Sequence, residues 1–199
     1  TTTGVTTTAD ATTGAFSITA PEQTDGTYAL TVTATDEAGN ISAASSALNL
    51  TVDTIAPAQP SITTTTSLTN DSTPAIEGIA EAGSTVTLFV NGSNTGVTTT
   101  ADATTGAFTI VSPSLAQQDF IFTVTATDTA GNTSAASVPV VFTIDTTINT
   151  PTITTTTSLT KDSTPLIEGN AEAGSTVTLF VNGTTTGVTT TADATTGAF

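Results

Sequence analysis

The side chains able to do chemistry in this chain are carboxylates, and they recur in fixed surroundings. Asp10, Asp102 and Asp193 each occupy the third position of Thr-Ala-Asp-Ala-Thr-Thr-Gly-Ala-Phe. Asp36 and Asp128 sit in Ala-Thr-Asp-x-Ala-Gly-Asn, four residues ahead of Asn40 and Asn132. Asp53 and Asp145 each follow an apolar, strand-like run. Carboxylates gathered together repel one another unless a cation intervenes. The oxygen donors on offer (Asp, Glu, Asn and main-chain carbonyls) are those of Ca²⁺, which accepts six to eight such ligands. Mg²⁺ asks for stricter geometry, and Zn²⁺ prefers the His and Cys that are absent.

The same composition excludes other chemistry. With 17 acidic residues, one Lys (Lys161) and no Arg, the net charge is −16, so phosphate counterions cannot be replaced and nucleic acid is no partner. No apolar run is long enough to span a bilayer, so no membrane insertion is expected in this segment. Without His or Cys there is no Ser-His or Cys-His nucleophile and no disulfide framework. A carboxylate pair can hydrolyse a glycoside, but the acids lie on turns in a chain with no Trp and one Tyr, a poor sugar platform. The sequence reads as non-enzymatic.

Repetition positions these residues. The nine-residue segment ends at Phe16, Phe108 and Phe199, spaced by 92 and 91 residues, and Ser67–Gly92 recurs as Ser158–Gly183. The first 16 residues are identical to the last 16, so the chain begins and ends at one phase of the repeat, as an excerpt of a longer array would. The expected division is 1–56, the C-terminal part of a repeat; 57–148, a complete repeat; and 149–199, the N-terminal part of another.

Alternation of apolar and polar residues marks half-buried strands. Phe120, Phe122, Val124 and Ala126 should face inward, as should Tyr28, Leu30, Val32 and Ala34 in the preceding repeat. Val86, Leu88 and Val90 lead into Asn91-Gly92, a tight-turn pair. Phe108 and Ile110 supply a further strand; Val138, Val140, Phe142 and Ile144 form the last, with Pro139 at an unpaired edge. Two more fit at 61–66 and 74–80. The 57 Thr residues favour extended backbone and keep outer faces wet. About seven strands without helical periodicity predict an all-β, immunoglobulin-like seven-strand Greek-key β-sandwich, repeated in a linear array.

Pro74-Ala-Ile-Glu-Gly, Ala82-Gly-Ser-Thr-Val-Thr-Leu, Ala126-Thr-Asp-Thr-Ala-Gly-Asn-Thr-Ser and the linker Asp53-Thr-Ile-Ala-Pro57 resemble the bacterial immunoglobulin-like (Big) tandem repeats of giant surface adhesins and biofilm-associated proteins. The resemblance covers the whole chain. It implies an extracellular, cell-surface or secreted-matrix protein whose repeats form an extended stalk stiffened by calcium. The second linker departs from the pattern, with Pro delayed to Pro151 in Asp145-Thr-Thr-Ile-Asn-Thr-Pro.

Seven alternating strands assign each acid to an end of the sandwich. Glu81, Asp102 and Asp128 fall at the pole where the chain enters; Asp71, Asp119 and Asp145 fall at the exit pole; Glu77 lies within a strand. The first junction should gather Asp53, Glu81, Asp102 and Asp128 with Asn132 nearby. The second should gather Asp145, Asn70 and Asp71 against Glu172 and Asp193; Asp25 and Asp119 lie at exit poles too and could join their respective junctions. These ten residues of the two junctions are the candidate Ca²⁺ ligands. The competing reading is that Asp and Asn here close turns onto their own backbone, and Asp102 in particular reads well as a plain turn. Partners are neighbouring repeats of the same chain. Phe89 and Phe180, on the polar phase of their strands, motivate the alternative of a filament or sheath with lateral contacts between like chains. A glycan- or receptor-binding module is the third possibility, with no residue singled out for it.

Overall fold

A computed structural model describes residues 4–65 and 67–199. Fourteen strands and no helix occur among the described residues, and the chain divides into two compact units, Thr1–Ile144 and Asp145–Phe199.

The first unit opens with a hairpin of β1 (Gly26–Leu30) and β2 (Leu48–Val52), paired antiparallel with Tyr28 opposite Leu50. Its remainder is a two-sheet sandwich. One sheet holds three strands in the order β3 (Ser61–Ile62), β5 (Ala75–Ile79) and β8 (Ala107–Val111). The other holds five: β4 (Leu68–Thr69), β10 (Val140–Ile144), β9 (Asp119–Thr127), β6 (Thr85–Val90) and β7 (Ser93–Thr100), in that order. All pairings are antiparallel except β4 with β10. The second unit contains two hairpins, β11 (Thr152–Ile153) with β12 (Gly169–Asn170), and β13 (Thr176–Val181) with β14 (Thr184–Thr191).

The alternating residues close the sandwich. Ile76, Phe108 and Ile110 from the smaller sheet meet Val86, Leu88, Phe122, Val124, Phe142 and Ile144 from the larger one in a single buried cluster. Phe122 and Phe142 pack edge to face at 5.1 Å, the favoured arrangement for two ring quadrupoles. Asn91 and Gly92 join β6 to β7 with φ of 50° and 76°, the mirror-image turn that suits strand twist. Glu77 is exposed within β5, as its phase requires.

Three strand expectations need correction. The first strand of the repeat is two short strands, β3 and β4, in different sheets, so eight strands of the sandwich occur among the described residues; Thr66, the end of the expected 61–66 strand, lies outside them. The last strand begins at Val140, which leaves Pro139 before it and Val138 72% exposed. The reason is that β9 above Phe122 is satisfied by serines. Ser134 Oγ accepts the Ala126 N–H and Ser137 Oγ the Val124 N–H, at 3.0 and 3.1 Å, and their own N–H groups donate to the carbonyls of Ala126 and Val124. Finally, β1 ends at Leu30, and Val32 and Ala34 are exposed. In the complete sandwich the matching Val124 and Ala126 pair with Leu88 and Val86 of β6, and these 199 residues hold no counterpart of β6 upstream of β1.

Candidate functional site at the first repeat junction

Strand direction places the β5–β6, β7–β8 and β9–β10 connections at one end of the sandwich, where the chain enters from Asp53. Hydrogen bonds tie that end together: Ala80 N–H donates to the Gly106 carbonyl and Ala101 N–H to the Ser84 carbonyl.

The tightest polar constellation there is Asp128 with Asn132. Asp128 Oδ1 accepts the N–H groups of Gly131 and Asn132 at 2.7 and 2.9 Å. Its Oδ2 accepts Asn132 Nδ2–H at 2.9 Å. The same Nδ2 donates to the main-chain carbonyl of Asp53 at 3.0 Å, a contact 79 residues apart in sequence. The Asn132 side chain foremost, then the main-chain N–H groups, hold the Asp128 carboxyl below its ordinary pKa. Asp36 and Asn40 build the same loop, with Asn40 Nδ2 on Asp36 Oδ2 at 2.8 Å. The loop is therefore intrinsic to the repeat, and the link to Asp53 is what the junction adds.

The other candidates are satisfied locally. Asp102 Oδ1 accepts Thr104 N–H, Thr105 N–H and the Thr105 hydroxyl at 3.0, 2.7 and 2.9 Å, which lowers its pKa, the Thr105 main-chain bond contributing most. Asp193 repeats this arrangement on Thr195 and Thr196. Asp71 closes a turn on Thr73, and Asn70 lies exposed beside it. Glu81 is exposed and contributes its carbonyl, which accepts the Ser84 hydroxyl. The Asp53 carboxylate accepts Ile55 N–H at 3.1 Å. In the second unit, Asp145 accepts Thr147 N–H and Glu172 accepts Asn149 N–H, both at 3.3 Å. Among the described residues no three acidic groups converge as a metal cage would require. Of the five candidates at the first junction, the structure brings together Asp53, Asp128 and Asn132.

Those three have the donor chemistry for a hard cation. The Asp53 carbonyl and Asp128 Oδ2 converge on one terminal atom of Asn132, and a half-turn of that amide presents oxygen in place of nitrogen. As it stands, Asn132 Nδ2–H satisfies both of these oxygens without a cation.

The family model of the bacterial Ig-like domain matches residues 1–54 and 57–146. The chain belongs to the bacterial Ig-like domain family. Solved structures similar to it include the BSP domain of a biofilm-associated protein, at 26% identity over 72% of this chain and 23% of that one, with a TM-score of 0.37. A tetra-tandem repeat from the extending region of a large adhesion protein matches at 22% identity over 88% of this chain and 47% of that one, TM-score 0.36. Fibronectin(III)-like modules of Clostridium thermocellum CbhA match at 17% identity over 61% and 64%, TM-score 0.41. The chain spans less than two thirds of each of these. At such TM-scores the likenesses decide nothing by themselves; the family model and the strand pairing carry the assignment. No curated protein matches the sequence.

Sequence reasoning missed Gln59, whose Nε2–H donates to the Ala136 carbonyl, and the buried Ser134 and Ser137. The serines had a signal, since Ser-Ala-Ala-Ser occurs at 42–45 and again at 134–137.

Proposed function

We propose that this chain is a spacer: a run of immunoglobulin-like repeats, bounded near 56/57 and 148/149, that projects a distal part of a bacterial surface adhesin or biofilm protein from the cell. The observation that carries the reading is the grip of one repeat on the linker entering it, through Asn132 on the Asp53 carbonyl. A spacer has to transmit direction, and this contact ties the linker to the module that follows. The near-absence of Lys and Arg, which leaves few sites for basic-residue proteases, suits exposure outside the cell. Rotary-shadowed electron microscopy of arrays with increasing repeat number tests it. Threads should lengthen by roughly 30–35 Å per repeat, as strands rising about 3.3 Å per residue require; compact particles of unchanging length would refute the spacer.

Calcium is the cation we assign to the first junction, where it would displace the Asn132 Nδ2–H bonds and take the Asp128 carboxylate, the Asp53 carbonyl and the Asn132 amide oxygen as ligands. With one carboxylate in the set, the affinity belongs to the weak class of extracellular modules, about 10⁻⁴–10⁻³ M. Millimolar Ca²⁺ should raise Tm, and Asp128→Ala should abolish that rise; an equal rise in the variant overturns the assignment.

Lateral association of like chains is the second reading. Ile121 and Val141 sit opposite one another on the outer face of the larger sheet, each about half exposed. Laterally ordered bundles in the micrographs, lost on Ile121→Thr, would favour it over isolated threads.

A further inference from the structure

Two adjacent linker residues are held from opposite sides. Asp25, at the exit end of the preceding repeat, accepts with Oδ1 both the N–H and the hydroxyl of Thr54, at 3.0 and 2.8 Å. Asn132, at the entry end of the following repeat, donates to the carbonyl of Asp53. Downstream, Pro57 and Pro60 are buried and the Gln59 amide is bonded to the Ala136 carbonyl in the β9–β10 connection. Between these anchors lie Ile55 and Ala56, and the Ile55 N–H is itself satisfied by Asp53. The chain thus has almost no unanchored length in which to bend.

We infer that the first junction carries a lock of hydrogen bonds, through Asp25, Asn132 and Gln59, that fixes the direction of the linker without any cation. It rests on the spacer reading for its purpose, and it assigns calcium a stabilising rather than an aligning part. The next linker differs in sequence at one of these anchors. Counting back from Pro151 as the counterpart of Pro60, Thr150 stands where Gln59 stands, and the linker from Asp145 is one residue shorter. An array of near-identical sandwiches would therefore differ in stiffness from joint to joint, according to linker sequence.

The chain has no native Cys, so spin labels at Ala29→Cys and Thr109→Cys, both exposed, report the angle across the junction by pulsed dipolar spectroscopy. In chelator the wild type should give one narrow distance distribution. Asn132→Asp removes the donor but keeps oxygen for a cation; Thr54→Val removes the hydroxyl; Gln59→Glu removes the amide donor. Each lost bond should raise the bent population roughly five-fold, the equivalent of about 1 kcal/mol per hydrogen bond, and the triple variant should be broad. Amide chemical shifts of Phe122 and Val124 confirm that the sandwich is intact in each variant. A wild type in chelator as broad as the triple variant overturns the lock. Calcium that fails to raise Tm while the chelated wild type stays narrow upholds the lock and removes only the cation.

Discussion

Replacing Ser137 by Ala should destabilise the complete sandwich through a single main-chain group. The Ser137 side chain is buried, the residue being 4% exposed, and its hydroxyl accepts the Val124 N–H at 3.1 Å in the middle of β9. β10 pairs with β9 only over residues 119–122, so no strand carbonyl stands ready to take the amide that the hydroxyl releases. Leaving a buried donor unsatisfied costs about 1–3 kcal/mol. For a domain of this size each kcal/mol lowers Tm by roughly 4–8 °C, so a loss near 2 kcal/mol predicts a fall of roughly 10 °C. Thermal denaturation followed by far-ultraviolet circular dichroism reads the total. Hydrogen exchange reads the cause, because the Val124 amide should exchange faster relative to its neighbours while Phe122, covered by β10, keeps its protection. Ser134→Ala should do the same at Ala126, and the double variant should approach the sum because the two hydroxyls serve different amides. A Tm unchanged within a degree or two, together with unaltered protection at Val124, would refute the account of serine hydroxyls standing in for a strand.

Gly78→Ala should also lower stability, by about 1–3 kcal/mol or more, because a Cβ there would collide with the Ser61 carbonyl oxygen and the Phe108 ring, and β3 cannot retreat without leaving β5; denaturant midpoints check it, and a neutral result would mean that β3 is not held where described. The Asp128 loop should weaken in acid. Its folded-state pKa is lowered, so its contribution is complete above the unfolded value near 3.9 and is lost as pH falls through the lower folded one. A titration of Asn132 side-chain shifts that moves near neutral pH instead would contradict the hydrogen bonding assigned to Asp128.

Much of the fold was legible because burial on a strand has a period of two. Phe120 to Ala126 and Val86 to Leu88 announce their inward faces without any knowledge of what covers them. Val138 misled the same reasoning: it continues the alternation, yet a chain can leave a sheet wherever side-chain hydroxyls satisfy the neighbouring amides. The acids were legible as types and as positions along the repeat. Their partners were not, since an Asp in a turn binds its own backbone or something outside it according to a rotamer, and Asp102 takes the first course while the Asp128–Asn132 pair takes both.

By itself, the sequence determined the repeat, its length and its all-β character, because these follow from identity and periodicity. The tertiary structure decided which of the first junction's candidate residues meet. It drew Asn132 to a carbonyl 79 residues away and left Asp102 closed on Thr105, because only folding brings the entry end of one sandwich against the linker from another. It also decided that Asp25, an exit-pole acid in the sequence, and Gln59, an ordinary linker residue there, hold that linker in place.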